Sequence, residues 1–158
     1  VASGVYPGVK CMQIIPRALV VAMVVAITLL TVSCGNTGRT IKVKDFESRQ
    51  WSASEDFYYD NSDTLSRRDI SLVVRYDKSY VADSVAMTIL TVSPDSLVFE
   101  EPFTLHIPRL GNLRPEEQSF VYRSNVLLAR SGRYLFRLTP LAPVEGIESI
   151  GIIVGEKQ

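Results

Sequence analysis

The stretch Asp69-Ile70-Ser71-Leu72-Val73-Val74-Arg75-Tyr76 repeats its apolar residues at every second position. Ile70, Leu72, Val74 and Tyr76 share one face, and Ser71 and Arg75 lie on the other. A period of two belongs to a strand that lays one face on a core, whereas a helix needs a period near 3.6. The same alternation returns in Phe103, Leu105 and Ile107, and in Phe120, Tyr122, Val126 and Leu128. It recurs again in Tyr134, Phe136 and Leu138, and in Ile150, Ile152 and Val154. Val85 to Val92 is apolar on both faces and reads as a central strand. Turn formers separate these runs, among them Asn61-Ser62-Asp63, Asp77-Lys78-Ser79, Ser93-Pro94-Asp95-Ser96, Leu110-Gly111-Asn112, Ser131-Gly132 and Pro140 to Pro143. The pattern predicts an all-β fold over residues 40–158, an antiparallel β-sandwich of about eight strands and of jelly-roll type. Pro102 inside the run Leu97 to Ile107 either splits that run or puts it at a sheet edge, because proline has no N–H to give to a ladder.

Upstream of this body the chain is of another kind. Ala18 to Val32 carries no charge, follows Arg17 and ends at Ser33-Cys34. These 15 residues are too few for a membrane span and suit the apolar core of a secretory signal. Small residues directly before a Cys resemble the lipobox of bacterial lipoprotein signals, although Leu30 stands one position further out than usual. The expectation is a signal peptide over residues 1–33, with Met12 as the candidate true start, and Cys34 as the lipidated first residue of the mature chain. A simple secretory signal cut nearby and an uncleaved anchor are the alternatives. Gly35-Asn36-Thr37-Gly38-Arg39 then forms a short tether, so that residues 34–39 link lipid to domain. Two or three acyl chains, palmitate among them, would hold such a protein on a bilayer, where one chain would not.

Composition changes once this address is set aside. The 158-residue chain is 46% apolar, but 22 of those residues fall in the first 33 positions, and the remainder is ordinary for a globular domain. Lys10 and Arg17 are the only charged residues before position 34, so 17 basic and 17 acidic residues become 15 against 17 in the body, about −2. A near-neutral body of this kind argues against nucleic acid as a partner. Of the two Cys, Cys11 leaves with the signal and Cys34 becomes a thioether, so no disulfide is expected. At roughly 125 residues the domain is large enough to do without one.

Chemistry-bearing residues are sparse. The lone His106 alternates with Leu105 and Ile107 and points to the wetter face of its strand. One His and no free Cys leave zinc without its usual ligands. There is no Gly-x-Ser-x-Gly elbow, and Gly35 to Gly38 lacks the Lys-Ser/Thr pair of a phosphate loop. Asp56, Asp60 and Asp63 with Asn61 lack the spacing of a calcium loop and read as a solvated turn. Glu100-Glu101 and Glu116-Glu117 diverge on a strand, so neither makes the opposed carboxylates of a glycosidase. No catalytic residue, no metal and no cofactor is expected.

Aromatic residues offer a binding alternative. Trp51, Tyr58, Tyr59 and Tyr80 read as lying in or beside loops, where exposed rings stack on sugars or anchor a protein, against the plainer reading that they fill the core. Arg123, Arg133 and Arg137 fall opposite the apolar positions of their strands, on a solvated face or one that opposes an acidic partner. Three functions are thereby weighed: an accessory envelope lipoprotein, a glycan-binding lipoprotein, and a hydrolase that would need two converging carboxylates. A monomer is expected, with an edge strand as the place where another chain would pair.

The order of landmarks resembles the GldH family of gliding-motility lipoproteins of Bacteroidetes. After Cys34 come Trp51, then Phe57-Tyr58-Tyr59-Asp60, then Val73-Val74-Arg75-Tyr76 with Tyr80 four further on. The chain closes with Gly132-Arg133-Tyr134 and with the run from Leu141 to Ile152, in which Gly146-Ile147 precedes an apolar strand. The resemblance covers nearly all of Cys34 to Val154 without one diagnostic signature, and it departs at Arg109-Leu110-Gly111-Asn112-Leu113, where a Gly-rich stretch would be expected. It implies a non-enzymatic lipoprotein of the inner or the outer membrane facing the periplasm, the outer being the usual fate of such lipoproteins in that group, with envelope proteins of the motility and type IX secretion machinery as partners. The residues after Cys34 lack the acidic run that resembles a surface-export signal in that phylum, which also points to the periplasmic side.

Overall fold

The computed structural model describes Gly4 and residues 38–109 and 115–156. The chain divides into two units, Val1–Thr37 and Gly38–Gln158, and the sheets belong to the second. Cys34, the expected lipidation site, and the expected signal segment lie outside the described residues, as do residues 110–113 of the stretch where the sequence departs from the family it resembles. Among the described residues there is no helix, hence none long and apolar enough to cross a membrane.

Ten strands are described. They are β1 (Thr40–Asp45), β2 (Gln50–Trp51), β3 (Glu55–Asn61), β4 (Arg67–Tyr76), β5 (Val85–Val92), β6 (Val98–Leu105), β7 (Glu116–Leu127), β8 (Gly132–Pro140), β9 (Val144–Glu145) and β10 (Ile147–Glu156). One four-stranded sheet runs β1-β10-β4-β7 and the other β3-β8-β5-β6, while β2 and β9 pair only with each other. All pairings are antiparallel. The long strands alternate between the two sheets except at the β5–β6 hairpin, which is the jelly-roll order. The expected sandwich of about eight strands is therefore present, with the two-residue β2–β9 pair added at one end.

The alternation places the core where the sequence puts it. Ile70, Leu72, Val74 and Tyr76 of β4 are all buried, and Ile150, Ile152 and Val154 of β10 lie beside them in register. Facing them from the other sheet are Met87 and Ile89 of β5 and Phe136 and Leu138 of β8. β5 sits between β8 and β6, the central position its two apolar faces predict. β6 keeps Pro102 within a continuous strand and lies at a sheet edge, so the edge alternative holds and the split does not. β7 is less regular than its alternation implies: its pairing with β4 shifts register twice, and Asn125 adopts φ 58°.

One reading needs correction. Tyr58 and Tyr59 are not in a loop but in β3, where Phe57, Tyr59 and Asn61 point inward. Asp56 and Asp60, read as a solvated turn, are the outward positions of the same strand. The period of two was hidden by Tyr58, an aromatic ring at an outward position, and by Asn61, a polar residue at an inward one, while the arginines that pair with Asp56 and Asp60 come from β8, more than 70 residues away.

The strand directions give the sandwich two distinct ends. At one, the chain enters through Gly38 and Arg39 into β1, and the connections 62–66, 93–97 and 128–131 cross. This is the tether pole. At the opposite, distal pole lie the connections 46–54, 77–84 and 141–146, with the described part of the β6–β7 connection.

Candidate docking cleft

The distal pole is built around a turn and a glycine. Asp77, at the end of β4, is 6% exposed and accepts hydrogen bonds from the Ser79 amide at 2.8 Å, from the Ser79 hydroxyl, and from Arg49 at 3.2 Å. Burial alone would raise the Asp77 carboxyl, but the Ser79 donors and Arg49 outweigh it and hold the group below the ordinary carboxylate range. The Asp77 amide donates to the Gly146 carbonyl at 2.9 Å, and the Gly146 amide donates to Arg49 at 2.8 Å. Gly146 has φ 80°, and a Cβ there would stand 2.1 Å from the Tyr80 backbone nitrogen, so no other residue fits. The 77–84 and 141–146 connections are thus locked together at their bases.

Above these bases the two connections separate and leave a cleft of about 440 Å³. Its walls are Val81, Ala82, Val85 and Ala86 on one side and Leu141, Ala142, Pro143 and Val144 on the other, with Ser79, Ser84 and Glu145 as its polar contributors. The Leu141 amide donates to the Ala86 carbonyl at 3.0 Å, which sets the spacing of the walls. Val81 and Leu141 are 71% and 65% exposed, so two large apolar side chains stand open at the cleft. A space of this size takes one or two apolar side chains of a partner.

The aromatic candidates divide sharply. Trp51 is buried, closes the distal pole, and donates its indole N–H to the Ala53 carbonyl at 2.8 Å. Tyr80 is buried and meets Tyr76 edge to face at 5.6 Å. Both hydroxyls lack a hydrogen-bond partner among the described residues, and burial raises the pKa of each. Tyr59 is buried beneath Arg68, whose guanidinium lies 6.0 Å from the ring centre. Only Tyr58 reaches the surface, where Arg133 stacks over it at 5.8 Å. The exposed platform that a glycan reading needs from these four residues is therefore reduced to one ring, since three of them are core.

The arginines find their partners within the chain. Arg133 and Arg137 of β8 make two-pronged contacts with Asp60 and Asp56 of β3, at 2.8 and 3.4 Å and at 2.6 and 2.8 Å. These bonds hold both carboxyls below their ordinary range. Arg123 and the Tyr122 hydroxyl both donate to Glu101, a clasp between the edges β6 and β7. Burial, then the bond to Glu101, pushes the Tyr122 hydroxyl up to about 12. The Asp63 carboxylate accepts the Leu65 and Ser66 amides at 2.9 and 3.0 Å and, held chiefly by hydrogen bonding to Ser66, falls to about 2. Among the described residues no cluster of His, Cys, Asp and Glu is arranged to hold a metal ion. His106 is exposed, on the wetter face as its alternation predicts.

Sequence reasoning missed the cleft. Asp77-Lys78-Ser79 was legible as a turn, but its lock to Gly146 joins segments nearly 70 residues apart.

No protein-family model matches the chain, and no characterised protein matches its sequence. Among solved structures it is similar to the enzymatically active domain of tailspike protein 4 of bacteriophage CBA120, at 12% identity and a TM-score of 0.33, over 75% of this chain and 18% of that one. It is also similar to dimeric latent PorU from Porphyromonas gingivalis, at 12% identity and a TM-score of 0.31, over 76% of this chain and 13% of that one. The chain thus spans less than a fifth of either structure.

Proposed function

We propose that this chain is a non-catalytic envelope lipoprotein, similar to the GldH family, anchored through Cys34 and docking its jelly-roll domain onto another envelope protein. The observation that carries this reading is the apolar cleft between Val81 and Leu141, which opens at the pole opposite the one where the tether enters. A lipoprotein held at its tether pole presents its distal pole to the periplasm. The partner chemistry that fits is a protein segment with an apolar anchor, because the walls are apolar, with Glu145 the one carboxylate that lines them and the nearby Asp83 paired with Arg109 at 2.9 Å. The neutralised carboxylates of β3 support a binding rather than a catalytic role. The periplasmic face of the outer membrane is the location this reading favours, and motility or secretion components of the envelope are the partner class it implies.

The test is recovery of envelope proteins after cross-linking with the tagged, full-length lipoprotein, in parallel with its Leu141→Glu variant. The wild type is expected to recover a protein that the variant loses. Equal recovery by both places docking elsewhere, and no recovery together with binding on a glycan array replaces this reading with the glycan-binding one.

A further inference from the structure

The tether pole has apolar features of its own, unlike those of the distal cleft. Leu65, in the connection 62–66, is 88% exposed, and Leu97, in the β5–β6 turn, is 68% exposed. Leu127 closes β7 at the same pole and is 43% exposed. The first two are presented by locked turns: Asp63 accepts the Leu65 amide at 2.9 Å, and the Leu97 carbonyl accepts the Ser93 amide at 2.9 Å. Val98 and Phe99 continue this exposed apolar surface along the start of β6.

These leucines do not gather around a cleft. Leu65 lies between β3 and β4, Leu97 at the β5–β6 edge, and Leu127 beside Arg67 at the edge of the other sheet. Side chains spread over one end match an extended apolar layer better than a single anchor. The charges of this pole largely cancel. Arg68 pairs with Asp63 at 3.4 Å, Arg130 with Asp95 at 2.9 Å and Arg133 with Asp60 at 2.8 Å, while Arg39 and Arg67 are offset by Asp69 and Glu156. The chain enters here, and Gly38 stands four residues after Cys34, a reach of about 14 Å when extended. A domain held that close to a bilayer has this pole within contact of the headgroups.

We propose that the tether pole is a membrane-resting surface, with Leu65, Leu97 and Leu127 entering the boundary between headgroups and acyl chains so that the distal cleft is aimed away from the bilayer. This inference rests on the reading of Cys34 as the lipidated residue. Because the ion pairs cancel, seating is driven by the leucines and has little need of anionic lipid.

Tryptophan fluorescence of the full-length lipoprotein in vesicles with brominated acyl chains tests this, since bromine quenches only rings that enter the bilayer. Native Trp51, buried at the distal pole, serves as the unquenched reference. Leu65→Trp and Leu97→Trp are each expected to lose about half or more of their added fluorescence, and Leu141→Trp almost none. The losses should be alike in phosphatidylcholine vesicles and in those of phosphatidylethanolamine and phosphatidylglycerol. Mass spectrometry of the N-terminal peptide separates the two levels of the account. If Cys34 is acylated and Leu65→Trp and Leu97→Trp stay bright, the resting surface is overturned and the lipoprotein reading stands. If Cys34 is not acylated, the lipoprotein reading fails. Quenching of the two variants added from solution then sustains the surface, and its absence overturns it.

Discussion

The two poles of this sandwich are closed by different means. At the distal pole the chain packs inward: Trp51, Tyr76 and Tyr80 fill the end, Gly146 lies against the Tyr80 backbone, and the remaining apolar surface borders one cleft. At the tether pole hydrogen-bonded turns and ion pairs do the closing, and leucines are left pointing outward. A concave apolar site takes an anchor of defined shape, whereas dispersed convex leucines take a layer. The same composition of small loops thus serves a shape-selective end and an unselective one.

The largest expected effect lies at the distal lock. Gly146→Ala combines a positive φ with a Cβ 2.1 Å from backbone, and about 3 kcal/mol or more of stability should be lost in denaturant unfolding. At the tether pole the matching change is gentler. Gly132→Ala meets φ 124° and the Pro94 side chain at 3.0 Å, and about 1–2 kcal/mol is expected. Equal losses at the two glycines would erase the difference between a packed and a turn-built pole.

Much of the fold was legible in the residues. β4 and β8 declare themselves because each lays one face on the core and turns much of the other toward solvent, and β10 because its run of apolar residues is buried on both faces. β3 does not, since it turns the aromatic Tyr58 outward and the polar Asn61 inward, where Asn61 donates to the Leu128 carbonyl. β1 is an edge strand whose residues are mostly exposed, so no core imposed a period on it. Trp51 and Tyr80 were misleading for a related reason. Trp51 sits in a two-residue strand and Tyr80 in a connection, both in segments that read as surface, and the pole they fill exists only once four connections have met.

Acid should probe the tether pole by a different route. Asp63 is lowered from 3.8 to about 2, so its stabilising bonds are fully present above about pH 4 and lost as pH falls toward 2. Asp63→Asn should therefore be less stable than the wild type near neutral pH, with the gap closing in acid, as followed by thermal unfolding across that range. A gap that widens in acid would contradict the assigned bonds. The smallest effect belongs to the exposed ladder of the second sheet. Removing the Arg133–Asp60 contact by Arg133→Ala should leave the unfolding midpoint within experimental error, because exposed ion pairs contribute little.

The contrast between poles is tested most directly by placing a photo-reactive side chain at position 141 or at position 65 of the full-length protein in intact cells. At 141 the account predicts a discrete protein adduct, and at 65 adducts with lipid and no protein. A protein adduct from 65 with none from 141 would contradict it.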